Sequence, residues 1–442
     1  MKVRIAFAIL ILSSQLVVSV PVSGQGEELA LTETQEMSLG LSRFTMDYPT
    51  GWIAASNRSM VVINELEADH NLALEGPFIT KGYSIRFETS RIATLKRDGF
   101  LSDEPTLEEL WQATMTTNDY QEAADVTSTQ VFGGPALQAQ TLDGQGNAVL
   151  SIQGFAETHA YQLSLSAPSS ETLVAFLPTW QSMLSSIRRV QGRQNIGDYS
   201  LYFECTVQGS PTVILEAGWG GGGVEGWSRV QRKVAEFTQV CAYDRLGMGM
   251  SDTAATTELR TGQDVVDDLH ALLEMTQVEG PYVLVGHSLG GAITRIYADQ
   301  YRDEVVGMVL VDASHEEVPR YREEILGSEM FAEAMAALYE GNLEALDYRG
   351  ILEQTRATQD LGDMPLVVLT ARLYSVEPPY TEETARREHE TWMEILQPRL
   401  AELSSNSTHI IVEDSDHLIP WFSPQSVVDA VSMVVEEIRM NQ

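Results

Sequence analysis

Tyr282-Val-Leu-Val-Gly-His-Ser288-Leu-Gly-Gly-Ala-Ile-Thr-Arg-Ile-Tyr-Ala-Asp299 is the stretch on which the fold turns. Its first four residues are apolar and end at a glycine, the mark of a short buried strand. Residues 292–299 have helical spacing. Between them lies Gly-His-Ser-Leu-Gly, and a strand running through such a turn into a helix forms a strained elbow that presents a serine hydroxyl above a sheet. Gly286 and Gly290 suit that turn because a Cβ would collide with the neighbouring backbone. Ser288 is therefore the candidate nucleophile. A glycine-rich turn with a capping serine is the plainer alternative, and the strand–turn–helix setting argues against it.

Outward from the elbow, strands and helices alternate, which points to a mostly parallel sheet covered on both faces. Pro211-Thr-Val-Ile-Leu-Glu-Ala-Gly is an apolar strand running into glycines, and Val240-Cys-Ala-Tyr-Asp-Arg is the next. Residues 261–275 form an amphipathic helix with Val265, Val266, Leu269, Leu272 and Leu273 on one side. Further strands are expected at Val305, Leu366 and Thr408, and a last helix at 424–439.

A serine hydroxyl needs a base, because unassisted it hardly ionises at neutral pH. His417 follows the last strand in Val412-Glu-Asp-Ser-Asp-His417, and a loop leaving a strand's C-terminal end faces the same edge as the elbow. His409 sits near the strand's start, His270 on a helix face, His389 in a charged helical stretch, and His287 within the elbow, where packing is the expected role. An oxyanion hole needs two backbone N–H groups aimed at the developing charge. Leu289 would supply one. The loop Glu216-Ala-Gly-Trp-Gly-Gly-Gly-Gly would supply the other, from Trp219 by first choice and Gly220 by second. A phosphate loop is excluded there, since Gly-Lys-Ser/Thr is absent.

Four segments carry a resemblance: Leu215-Glu-Ala-Gly-Trp-Gly-Gly, Val240-Cys-Ala-Tyr-Asp-Arg-Leu-Gly-Met-Gly-Met-Ser-Asp, Val285-Gly-His-Ser-Leu-Gly-Gly and Val309-Leu-Val-Asp-Ala-Ser-His-Glu-Glu. In order and spacing they resemble the α/β-hydrolase superfamily, most closely its bacterial esterase-like branch, over residues 213–420. The resemblance implies an α/β fold with an eight-stranded, mostly parallel sheet. It also implies acyl-enzyme chemistry without metal or cofactor, on a small-molecule ester or acyl substrate. Amide or peptide hydrolysis and acyl transfer share that machinery, and a degenerate, non-catalytic binding protein is the alternative of another class. Dehalogenase and epoxide hydrolase chemistry would need Asp at position 288. The triad acid is open. The usual family place, after the strand 366–370, reads Ala371-Arg-Leu-Tyr-Ser-Val-Glu-Pro-Pro and has no Asp, which leaves Glu377 or, by preference, Asp312 at the end of Val309-Leu-Val-Asp. Some relatives carry the acid at that second strand end. Residues 315–363 read as an inserted lid. There Met330, Phe331, Met335, Leu338 and Tyr339 either line an acyl pocket or pack on the sheet. In the family's strand order Cys205 and Cys241 lie on adjacent strands, so a disulfide is sterically conceivable and free thiols are the alternative.

At 442 residues the chain suits two domains. Residues 41–190 read as a smaller α+β domain: strands near Phe44, Met60 and Tyr83, a helix at 106–115, an antiparallel meander over 130–165, and a closing helix capped by Ser169 or Ser170. Its opening Phe44-Thr-Met-Asp-Tyr-Pro-Thr-Gly-Trp and strand-rich, helix-ended plan resemble the PsbP/Mog1-like domain, which implies an accessory module without chemistry of its own. His70 and His159 within it are expected to be solvated or packed. Residues 188–197 read as a linker, with the hydrolase-like domain at 197–442. Before the first domain, residues 25–40 are a polar, unpatterned leader.

Lys2 and Arg4 followed by the apolar run 5–20 read as an export signal ending near residue 24. Export is the expected localisation, secreted, periplasmic or cell-surface, with no stable membrane insertion after signal removal. The formal charge is −35, from 28 Lys and Arg against 63 Asp and Glu. Such a surface repels nucleic acid and anionic membranes. The oligomeric state and the substrate are not legible.

Overall fold

The structure, a computed structural model, describes residues 30–441 except 40–41, 51, 57–59, 66–82, 119, 122–124, 133, 157–158, 207–208, 256–257 and 377–379. The proposed export signal, His70 and Glu377 thus lie outside the described residues. The chain divides into two compact units between Arg189 and Val190.

The first unit opens with β1 (Leu31–Leu39) and β2 (Ser42–Pro49), an antiparallel hairpin. The expected leader is therefore corrected, since residues 31–39 form a strand. Its side chains are mostly polar and, among those whose side chains are described, only Met37 is deeply buried, so backbone pairing with β2, not an apolar pattern, defines it. The other strands are β3 (Trp52–Ser56), β4 (Met60–Glu65), β5 (Ser84–Arg91), β6 (Thr127–Val131), β7 (Gly134–Leu142), β8 (Ala148–Ala156) and β9 (His159–Ala167). They form one antiparallel sheet in the order β3-β4-β5-β9-β8-β7-β6, so the expected meander β6 to β9 is present. Of its helices α1 (Ile92–Arg97), α2 (Leu107–Thr117) and α3 (Ser170–Ser185), the second starts at a capping box of Thr106 and Glu109 and the third at Ser169. Helix α3 buries Phe176, Trp180 and Met183 in the same apolar cluster as Phe87 and Tyr161 of the sheet.

The second unit begins within β10 (Arg188–Asn195), a strand where a linker was expected. It pairs antiparallel with β11 (Ser200–Cys205). Only Val190 and Gly192 of β10 are buried, so it shows almost no apolar signal and its ladder hydrogen bonds give it its form. The remaining strands are β12 (Thr212–Glu216), β13 (Val240–Asp244), β14 (Tyr282–His287), β15 (Val305–Val311), β16 (Leu366–Ala371) and β17 (Ser407–Val412). The sheet is mixed. In the order β10-β11-β13-β12-β14-β15-β16-β17, the pairs from β13 to β17 are parallel and those of β11 antiparallel.

The helices longer than five residues are α4 (Gly223–Val234), α5 (Gly262–Met275), α6 (Leu289–Gln300), α7 (Val318–Leu326), α8 (Ser328–Glu340), α9 (Tyr348–Arg356), α10 (Glu382–Thr391) and α11 (Pro424–Met440). Alternation along each strand divides the core in two. Ile214 and Leu284 join Leu269 of α5 and Ile293 of α6 on one face. Val213, Leu215, Val283 and Val285 join Trp227 of α4 and Val431 of α11 on the other.

Cys205 and Cys241 stand opposite each other in the β11–β13 register and are joined as a disulfide. It closes a loop with a sequence separation of 36. Cross-links over such loops stabilise by about 2–4 kcal/mol, chiefly through the unfolded chain. The urea midpoint of the protein should fall accordingly on reduction or in Cys241→Ala, and an unchanged midpoint would contradict the bridge.

Candidate active site

Strand β14 delivers Ser288 to the start of α6 with φ 53° and ψ −122°, a left-handed conformation that places its hydroxyl clear of the strand. Both flanking glycines are needed. A Cβ on Gly286 would lie 2.6 Å from the Gly290 carbonyl oxygen, and one on Gly290 would lie 2.5 Å from the oxygens of Glu216 and Ala217. The elbow thus packs directly on the end of β12, and the glycine-rich loop after β12 is brought beside the serine.

Three strand ends converge on Ser288. His417 follows β17, and its Nε2 lies 2.9 Å from Ser288 Oγ. Its Nδ1 lies 2.6 Å from Oδ2 of Asp312, which follows β15. A carboxylate can only accept, so Nδ1 carries the proton and Nε2 is left to accept from the serine. Asp312 is 3% exposed and also takes hydrogen bonds on Oδ1 from the Ala371 N–H at 3.0 Å and the Trp392 indole N–H at 2.9 Å. Burial alone would push its carboxyl up, but the hydrogen bond and charge of His417, aided by the Ala371 and Trp392 donors, hold it below the ordinary value. Trp392 was not singled out from the sequence. It lies past β16, in a helical stretch whose only visible signal was charge.

His287 is buried in the elbow and donates from Nε2 to the His417 carbonyl oxygen at 2.7 Å, tying the β17 loop to the nucleophile turn. Desolvation, then the nearness of His417, pulls its pKa down to about 3. A histidine kept neutral in the fold costs stability wherever the unfolded chain would protonate it, which is below pH ~6.5. Stability should therefore fall with pH from about 6.5 towards 3, and His287→Gln should flatten that slope. Parallel urea midpoints of the variant and the parent at pH 7 and 5 would refute this.

The loop Gly218-Trp219-Gly220-Gly221 lies against the elbow. A Cβ on Gly218 would sit 3.1 Å from Ser288 Cβ. Trp219 and Leu289 line the same cavity as Ser288. Gly220, the second choice of donor, is corrected: its N–H is engaged by Glu344 Oε1 at 2.9 Å. Beneath the loop lies a buried cluster that the sequence did not reveal. Arg245 donates to the carbonyl oxygens of Ala217 at 2.6 Å and Gly218 at 2.8 Å, to Glu344 Oε2 at 2.6 Å, and to Glu216. Tyr243 donates to Glu216 at 2.5 Å. Arg245 is 4% exposed, Glu344 1% and Glu216 0%. Burial pushes the Glu216 carboxyl up despite Arg245.

A cavity of about 660 Å³ opens over Ser288, and its wall includes the aromatic residues Trp219, Tyr321, Tyr348, Tyr374 and Trp392. Leu338 is the one of the five lid residues weighed from the sequence that lines it. Phe331 and Met335 instead pack in the core beside α6 and α9, and Tyr339 leans on Trp219 with ring centroids 5.9 Å apart. Met330 does not line the cavity either. The cap also draws on α10, outside the expected lid. His389 of α10 lines the cavity, stacks on Tyr374 and bonds the Arg372 carbonyl. His270 stacks on Tyr301, and His409 bonds Thr370 Oγ1. Among the described residues no group of three His, Cys, Asp or Glu could hold a metal ion.

Residues 211–423 match a family model described as the alpha/beta hydrolase fold. The uncharacterized protein YqjL of Bacillus subtilis is 28% identical over 222 residues, 49% of this chain and 80% of that protein. Lipase LipV of Mycobacterium tuberculosis is 38% identical over 86 residues, 20% of this chain and 31% of that protein. The chain spans 35% or less of the length of each curated relative other than YqjL. Among solved structures, a thermophilic esterase from Thermogutta terrifontis aligns with 56% of this chain and 98% of its own, at 21% identity and a TM-score of 0.41.

Proposed function

We propose that the domain whose residues 211–423 match the alpha/beta hydrolase family model is a serine hydrolase that cleaves carboxylic esters through an acyl-enzyme on Ser288. The hydrogen-bond chain Asp312–His417–Ser288 is the observation that carries the reading. In acylation His417 Nε2 takes the Ser288 proton as Oγ attacks the acyl carbon, and Asp312 stabilises the imidazolium. The charge developing on the carbonyl oxygen is met by the N–H groups of Leu289 and Trp219. His417 then protonates the departing alkoxide. Water, deprotonated by the same nitrogen, releases the acid and restores Ser288.

Export is part of the proposal. The basic start and apolar run at the amino terminus support it, as does the Cys205–Cys241 disulfide, which suits an oxidising compartment. The test is a panel of p-nitrophenyl esters of rising acyl length beside the matching p-nitroanilides. Esters should be turned over with a burst of p-nitrophenolate. Anilide cleavage without ester cleavage would assign the triad to amides, and no turnover of either would point to a binding protein.

A further inference from the structure

Arg322 of α7 and Glu388 of α10 both line the cavity that holds Ser288. Arg322 is the only Arg or Lys among the described lining residues. Its Nε donates to Glu388 Oε1 at 3.2 Å. Among the described residues that is the guanidinium's one hydrogen bond, so Nη1 and Nη2 have no protein acceptor. Tyr348 and Tyr380 lie within electrostatic reach of the same group and line the same cavity.

A pocket for plain alkyl or aryl esters gains nothing from this arrangement. The pair is half-buried, its side chains 31% and 20% exposed, so holding it in the cavity wall still costs some desolvation, and apolar side chains of like volume would do as well. The pair is also not built for strength, because one Nε contact leaves unused the planar fork through which arginine grips a carboxylate in two places. Asp312 and Asp416, the other described carboxylates on the wall, are engaged by His417 and by the Leu418 N–H.

We propose that Arg322 binds a carboxylate carried by the substrate, so that the preferred esters are monoanionic. Glu388 holds Nε, and Nη1 and Nη2 receive the substrate anion. The assignment rests on the Ser288 hydrolase reading and names its substrate class.

The test compares p-nitrophenyl monoesters of adipic, suberic and sebacic acid with the same esters ending in a primary amide. A second arm carries the carboxylate on the alcohol side, as in the acetate ester of 4-hydroxyphenylacetic acid against its amide. In at least one arm kcat/KM for the acid should exceed that for the amide by about ten- to a hundredfold, the worth of a hydrogen bond to a charged group. Arg322→Met should bring that ratio to about one. Glu388→Gln, which keeps an acceptor for Nε but removes the competing charge, should raise it. If the pair only ties α7 to α10, both variants will lower acid and amide turnover together and leave the ratio where it was, which overturns the proposal. A parent ratio near one in both arms, with amide-ended esters still cleaved, overturns it too and spares the hydrolase reading. No cleavage of any ester and no labelling of Ser288 by a fluorophosphonate would sink the hydrolase reading, and this proposal with it. Thermal melts of both variants show whether a changed ratio comes from folded protein.

Discussion

Ser288→Ala is expected to lower ester turnover by about 10⁴- to 10⁶-fold and to abolish labelling by a fluorophosphonate, the scale seen when a triad nucleophile is removed. The size follows from the geometry. No other hydroxyl is bonded to His417 Nε2 among the described residues, so nothing can take the proton-coupled role of Ser288 Oγ. The buried Asp312 makes a graded companion. In Asp312→Asn the amide can offer an N–H to the imidazole, which favours the wrong tautomer and should cost about 10⁴-fold with the fold kept. Labelling that survives Ser288→Ala would place the nucleophile elsewhere. Loss in Asp312→Asn of less than tenfold would move the acid, with Glu377 the next candidate.

The second large effect is on stability. Arg245→Met should lower the protein's stability by about 3–5 kcal/mol, the usual result of removing one partner from a buried ionic group. At 2–4 °C per kcal/mol for a domain of this size, that is a melting temperature lower by roughly 6–20 °C. The variant leaves Glu216 and Glu344 buried without their cation and strips a donor from the Ala217 and Gly218 carbonyls. Arg245→Lys should recover only part of the loss, since one ammonium cannot span two carboxylates and two carbonyls. The pH dependence has a defined sign. Burial already pushes the Glu216 carboxyl up and Arg245 opposes it, so without Arg245 the variant takes up a proton in the fold and its deficit should shrink as pH falls from 7 to 5. A deficit that grows on acidification would show that the cluster is not held by charge. Because Arg245 and Glu344 also grip the loop carrying Trp219, kcat should fall with it.

Much of the site was legible because its signals are local. The strand before Ser288, the glycines around it and the loop after β12 follow from near-neighbour sterics and periodicity. His417 could be chosen over its rivals because it follows a strand end. The two misread strands share one cause. Strands β1 and β10 are held by backbone ladders and bury few apolar side chains, so composition alone made them a leader and a linker. The lid residues were left open for another reason: helical spacing shows that Phe331 and Met335 are buried, but not whether they face sheet or cavity.

What the sequence determined by itself is the succession of strands from β12 to β17, the elbow and its serine, and the edge on which the histidine falls. These depend on residues a few positions apart. What only the tertiary structure decided is partnership over long separations. His417 reaches Asp312 across 105 positions, Trp392 reaches it across 80, and Glu344 reaches Arg245 across 99. Such pairs have no periodicity to read. They arise because parallel strands bring their C-terminal ends to one edge, and because a polar group buried there must find its partner among whatever loops that edge collects.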